Sequence, residues 1–141
     1  MASIVEAEAR TDQDRPRIAR VIYNRIEEGL PLDIDAICVY GSGDRETELT
    51  AELLGDYDAF FDPGFACRTR IGLPSTPIGT PGEASLAAAI DPTPKPIDDD
   101  GSEIEWLFYV PLDREGNYFF TDDLEEFVEQ KRRAVDEGLL S

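Results

Sequence analysis

The chain contains no histidine. That absence removes the Ser-His-Asp and Cys-His nucleophilic sites, histidine-ligated zinc, and imidazole as an acid or base. Cationic side chains are scarce too: 13 Lys plus Arg face 31 Asp plus Glu, for a net charge of −18. This balance argues against binding nucleic acid or anionic lipid, which requires clustered cations. No apolar run reaches the roughly 18 residues of a membrane span, and no signal-peptide pattern is present. The only cysteines, Cys38 and Cys67, lack the C-x-x-C spacing of redox or zinc sites. From the residues alone they are either two half-buried thiols or a disulfide, whose loop closure would contribute about 3–4 kcal/mol in the chain-entropy model.

What is present fits one compact domain. The 141 residues are 41% hydrophobic and 31% charged, with a mean hydropathy of −0.34, enough apolar material for a single core. Ala2 to about Arg10 reads as a helix rich in Ala and Glu. Asp14 and Pro16 open a second helix with the apolar stripe Ile18, Val21, Ile22 and Ile26, stopped by Gly29 and Pro31. Leu32 to Tyr40 reads as a strand ending at the turn residues Gly41-Ser42-Gly43, and Thr50 as the cap of a short helix. Between residues 60 and 82 eight Gly and Pro residues exclude any regular element and predict an ordered loop. Thr80-Pro81-Gly82-Glu83 has capping-box spacing ahead of a helix over Ala84 to Ile90. Pro92 to Glu103, with its Asp98-Asp99-Asp100 run, reads as a solvated surface loop. Trp106 to Val110 and Tyr118 to Phe120 flank Asp113-Arg114-Glu115-Gly116-Asn117 as an aromatic hairpin does. Thr121 then caps a last helix with the stripe Leu124, Phe127, Val128, Lys131 and Val135. The expected class is α+β, helices packed on a small sheet with an aromatic hairpin near the C-terminus.

Without histidine, the acid/base chemistry open to this chain centres on a carboxyl group in apolar surroundings, where desolvation raises a glutamate toward neutrality. Glu6, directly after Ile4 and Val5, is the candidate; Glu8 and later acids have charged neighbours.

The order and spacing of several motifs resemble the catalytic domain of the YceG-like family of endolytic murein transglycosylases. They run from Ala2-Ser3-Ile4-Val5-Glu6-Ala7-Glu8-Ala9 through Asp14-Arg15-Pro16, Val21-Ile22-Tyr23-Asn24-Arg25-Ile26 and Gly29-Leu30-Pro31-Leu32. Then come Tyr40-Gly41, Gly72-Leu73-Pro74, Pro81-Gly82, Ser85-Leu86, Leu107-Phe108-Tyr109-Val110 and Leu124-Glu125-Glu126. The resemblance implies a fragment, residues 1–141, of a longer protein anchored on the outer face of the cytoplasmic membrane. It implies cleavage of peptidoglycan strands between N-acetylmuramic acid and N-acetylglucosamine to leave 1,6-anhydro ends, with cell-wall synthesis proteins as further partners. It places the family's catalytic glutamate on Glu6 and suggests sugar contacts from Asn24, Asp35, Tyr40, Arg68 and Pro74, with no metal or cofactor. A one-carboxyl mechanism whose nucleophile is the sugar's own C6 hydroxyl suits a chain without histidine.

The chain departs from the family pattern at Asp33, often glutamine there, at Ala66, often asparagine, and at Tyr118 and Phe127, where the family frequently has histidine. Both cysteines fall at such departures, which favours a Cys38 to Cys67 disulfide. The departures also leave a second expectation, a non-catalytic relative that binds peptidoglycan or a synthesis partner.

Overall fold

The computed structural model describes residues 1–43 and 62–140; the helix expected at Thr50 lies outside them. The described residues form five α-helices and one antiparallel hairpin, an α+β fold: α1 (Ala2–Glu8), α2 (Arg15–Glu27), α3 (Asp35–Ser42), a 3-10 turn (Pro63–Phe65), α4 (Glu83–Ile90), β1 (Phe108–Pro111), β2 (Tyr118–Thr121) and α5 (Leu124–Asp136).

The core lies where α1, α2 and α3 meet. Ile4 and Val5 of α1, Ile18 and Ile22 of α2, and Ile37 and Cys38 of α3 are almost fully enclosed. α4 packs across α1 and α2, while α5 closes over the hairpin. The α2 stripe is as expected, with Ile18, Val21 and Ile22 buried and Ile26 half-buried. The helix gives way at Gly29, whose φ of +67° favours glycine.

Leu32 to Tyr40 is not a strand. Pro31, just before this stretch, makes an isolated bridge to Ile71, and from Asp35 the chain is helical. Ile34, Ile37 and Cys38 are spaced i, i+3, i+4, so a short apolar run that alternates loosely also satisfies one helical face. Burial of that face and the bond from Cys38 to Cys67 decide for helix, and Gly43 ends it at φ +74°.

Two expected caps are replaced. α4 starts at Glu83 with Gly82 as N-cap and no capping side chain of its own. In α5 the cap is Asp123, whose Oδ1 accepts from the amides of Glu125 and Glu126 at 2.7 and 3.0 Å, while Thr121 bonds to Glu126 instead. The α5 stripe is also thinner than expected. Phe127 stacks on Phe108 at 4.8 Å and Ala134 is buried, whereas Leu124, Val128 and Val135 are exposed.

The hairpin pairs Tyr109 with Phe120 and Val110 with Phe119. At its tip, Asp113 accepts from both the backbone and the side chain of Asn117. Gly116, at φ +96°, presses against the α1–α2 connection, where an added Cβ would lie 3.2 Å from Thr11 and 3.3 Å from Arg10. The hairpin's aromatic face is thereby held beside the end of α1.

Candidate active site

Helix α1 presents carboxylates to two cavities on its opposite sides. Residues two apart on a helix are separated by about 200°, so Glu6 and Glu8 point away from each other.

Glu8 follows Ile4 and Val5 at i+4 and i+3, on the face that turns inward. Its side chain enters a recess of about 450 Å³ walled by α1, the Leu32–Asp35 stretch, β1 and α5. The Tyr109 hydroxyl donates to Glu8 Oε2 at 2.8 Å, and the Tyr118 hydroxyl donates to the Glu8 backbone carbonyl at 2.8 Å. Burial pushes the Glu8 carboxyl above the usual carboxylate range; the Tyr109 hydrogen bond pulls it down and the charge of Asp35 pushes it up. Burial, reinforced by Glu8, also holds the Tyr109 phenol protonated well above its ordinary value.

Arg25 lines the same recess. Its Nε donates to Pro31 O at 2.9 Å and its Nη1 to Leu107 O at 2.7 Å, with the guanidinium 5.5 Å from the Phe108 ring centre. Arg68 forks onto Asp33 and Asp35, the latter at 2.7 Å. Asp33 has φ +57°, a left-handed conformation that aspartate tolerates better than most residues.

Glu6 occupies a different environment. It borders a groove of about 410 Å³ with Tyr40, Ile78 and Thr80, and its Oε2 is gripped from three sides. The Gly82 amide donates at 3.1 Å, the Ser85 hydroxyl at 2.6 Å and Arg15 Nη1 at 3.1 Å. Arg15 Nη1 also donates to Ser85 Oγ at 2.6 Å, and Ser85 is fully buried. The carboxylate thus caps α4 from another helix. The Ser85 hydrogen bond, with that from Gly82, lowers its pKa. The expectation that apolar neighbours raise Glu6 is therefore not met: its carboxyl is lowered, and of the two on this helix the raised one is Glu8.

Of the other residues singled out, Asp35 and Arg68 reach the recess beside Glu8. Tyr40 lines the Glu6 groove, its ring against Phe65 at 5.2 Å. Asn24 is fully buried, donating Nδ2 to Trp106 O at 3.0 Å, and ties α2 to the segment leading into β1. Pro74 is half-buried and borders neither cavity. Glu8, Tyr109, Arg15 and Ser85 are the additions. Helical spacing from Ile4 and Val5 is the signal that finds Glu8; proximity in sequence favours Glu6. The Ser85 contact spans 79 residues, and no local pattern reveals it.

Cys38 and Cys67 are disulfide-bonded, with Cα atoms 5.4 Å apart. The bond fastens α3 to the segment that carries Arg68. Among the described residues, no group of three or more acids or cysteines is placed to hold a metal ion, and no helix is long and apolar enough to cross a membrane.

Comparison with known proteins adds a family. Residues 1–133 match the family described as YceG-like. The chain is 27% identical over 135 residues to the endolytic murein transglycosylase of Bacillus subtilis, covering 96% of this chain and 33% of that protein. It is 24% identical over 126 residues to the protein of the same name from Streptococcus pneumoniae, covering 89% of this chain and 21% of that one. The chain therefore spans a third or less of the curated relatives it matches. The crystal structure of a putative YceG-like protein from Listeria monocytogenes superposes with a TM-score of 0.73 at 29% identity, covering 92% of this chain and 38% of that one.

Proposed function

The chain belongs to the YceG-like family, and from that premise we propose that it is the catalytic domain of a peptidoglycan lytic transglycosylase. The resemblance points to Glu6 as the acid and base, whereas the geometry of the larger recess favours its helix neighbour Glu8, which we assign to that role. The observation that carries this reading is the Glu8 carboxyl, enclosed in the larger recess, oriented by Tyr109 and pushed by burial toward its protonated form.

In the proposed reaction, protonated Glu8 donates to the glycosidic oxygen linking N-acetylmuramic acid to N-acetylglucosamine. The bond from that oxygen to muramic C1 breaks, and positive charge develops at C1. The muramic C6 hydroxyl then closes on C1 and returns its proton to Glu8, leaving a 1,6-anhydro ring and a new N-acetylglucosamine end. No water is consumed, and Glu8 ends as it began. Tyr109 holds Oε2 and leaves the other carboxyl oxygen to meet the substrate. Asp35, close enough to act on Glu8 electrostatically and steadied by Arg68, is placed to favour the developing cation. Glu6 on this reading fixes α1 to α4. The disulfide fits work on the outer face of the cytoplasmic membrane, where such bonds persist.

Purified peptidoglycan, incubated with the protein and with its Glu8→Gln and Glu6→Gln variants, tests the assignment by mass spectrometry of 1,6-anhydro ends. Loss of the general acid is expected to lower turnover by about 10²–10⁴-fold in Glu8→Gln, while Glu6→Gln retains measurable turnover. Anhydro ends made by Glu8→Gln at the wild-type rate would sink Glu8 as the acid, and their absence from the wild type would favour a non-catalytic peptidoglycan binder.

A further inference from the structure

The recess that holds Glu8 is cationic in a protein that is not. Four basic side chains, Arg10, Arg25, Arg68 and Lys131, line it against three carboxylates, Glu8, Asp33 and Asp35, although the whole chain carries −18. Arg68 is committed to Asp33 and Asp35. Arg10 and Lys131 are exposed, and among the described residues neither forms an ion pair. Each lies instead over an aromatic ring of the recess wall, Arg10 at 6.0 Å from the centre of Tyr118 and Lys131 at 5.7 Å from that of Phe127. They come from separate parts of the chain, the α1–α2 connection and the middle of α5, and line the same recess.

A cation over a ring keeps its hydrogen-bonding N–H groups available to a ligand, and an aromatic floor favours the apolar side of whatever carries the anion. We infer that Arg10 and Lys131 form a carboxylate-recognition site at the mouth of the recess, which selects glycan strands by the anionic group on the muramic acid beside the scissile bond. The Arg25 charge behind them adds to the field, its guanidinium hydrogen-bonded to backbone carbonyls. The ligand chemistry is a carboxylate on an amphipathic arm, supplied either by the lactyl group of an unsubstituted muramic acid or by the stem peptide.

The choice of ligand rests on the peptidoglycan reading, but the test requires no catalysis. Four probes are titrated calorimetrically at low ionic strength: the disaccharide of N-acetylglucosamine and N-acetylmuramic acid with its lactyl carboxylate free, the same disaccharide carrying a tetrapeptide, and each with its carboxylates converted to carboxamides. The wild type is expected to prefer at least one acid form over its amide by about tenfold. The preferred pair identifies the source of the carboxylate. Arg10→Gln and Lys131→Gln should each reduce that preference, the double variant should bring it near unity, and all should keep the wild-type Tm. Acid and amide binding alike to the wild type, or a preference that survives in the double variant, overturns the site. Anhydro-end formation by the same wild-type preparation separates the two proposals: cleavage without acid preference removes this one alone, and acid preference without cleavage removes the transglycosylase reading alone.

Discussion

Glu6 and Glu8 share a helix and a chemistry yet are shifted in opposite directions from the ordinary glutamate range, and this difference has consequences for stability. Glu8 has a folded-state pKa above its unfolded value. Its contribution to folding is therefore full below the ordinary glutamate range and is lost as pH rises through the raised value. At neutral pH the ionised group is a liability, so Glu8→Gln should raise Tm at pH 7, leave it little changed near pH 4, and lower turnover, as removal of a destabilising active-site group does. Glu6 runs the other way. Its pKa is lowered, so its contribution is present above the ordinary range and disappears as pH falls through the depressed value; Glu6→Gln should lower Tm at pH 7 and cost little in acid. Paired thermal melts at both pH values check both signs. Activity should likewise fall as pH rises through the raised Glu8 value. Because the Tyr109 hydrogen bond pulls that value down, Tyr109→Phe should move the alkaline limb of kcat/KM to higher pH. A limb that stays in place, or moves down, would remove Tyr109 from any role in setting the acid.

Among elements, those whose signals are local are the ones that read directly from the chain. α2 has its Pro16 start, its buried stripe and its glycine stop, and the hairpin has aromatic strands around a turn closed by Asp113 and Asn117. α3 is misread because the alternation at Leu32 and Ile34 and the apolar run from Ile37 suggest a strand while Ile34, Ile37 and Cys38 fit one helical face, and only its partners across the core choose between them. The caps of α4 and α5 are misplaced because the α4 amide bonds to Glu6, 76 positions away, and because Asp123 outcompetes Thr121 for the α5 amides. The site suffers from the same limit: Asp35 and Arg68 stand out in the sequence, but their approach to Glu8 depends on α3 being a helix. Reducing the Cys38–Cys67 bond should lower stability by about 3 kcal/mol, as expected from release of a loop of this size. Urea titrations with and without reductant would show it. An unchanged midpoint would mean that packing alone secures α3.

At the scale of the molecule, the surplus of 18 negative charges works against compactness, since like charges repel within a Debye length. Moderate salt should therefore raise Tm at pH 7, and a salt-independent Tm would show that the acids are spread widely enough not to oppose folding. The fold places its few cations with economy. Arg15 serves Glu6 and Ser85 at one atom, Arg68 serves two aspartates, and Arg10 and Lys131 stand at one opening. The expected histidine positions, Tyr118 and Phe127, carry no charge of their own, yet each has a cation over its ring. The polarity of this wall is thus set by residues that neither position identifies alone.

Helix α1 is seven residues long and has no idle side. Ser3 donates no cap but accepts the Ile78 amide at 3.0 Å, Ile4 and Val5 fill the core, Glu6 grips α4, and Ala7 borders both cavities. In a saturation scan this stretch should therefore be the least permissive in the chain. A single inserted residue would be worse than any substitution, because it would turn everything beyond it by about 100° and carry Glu8 out of its recess. The helix can shorten or vary only by losing a contact, so its length is itself under constraint.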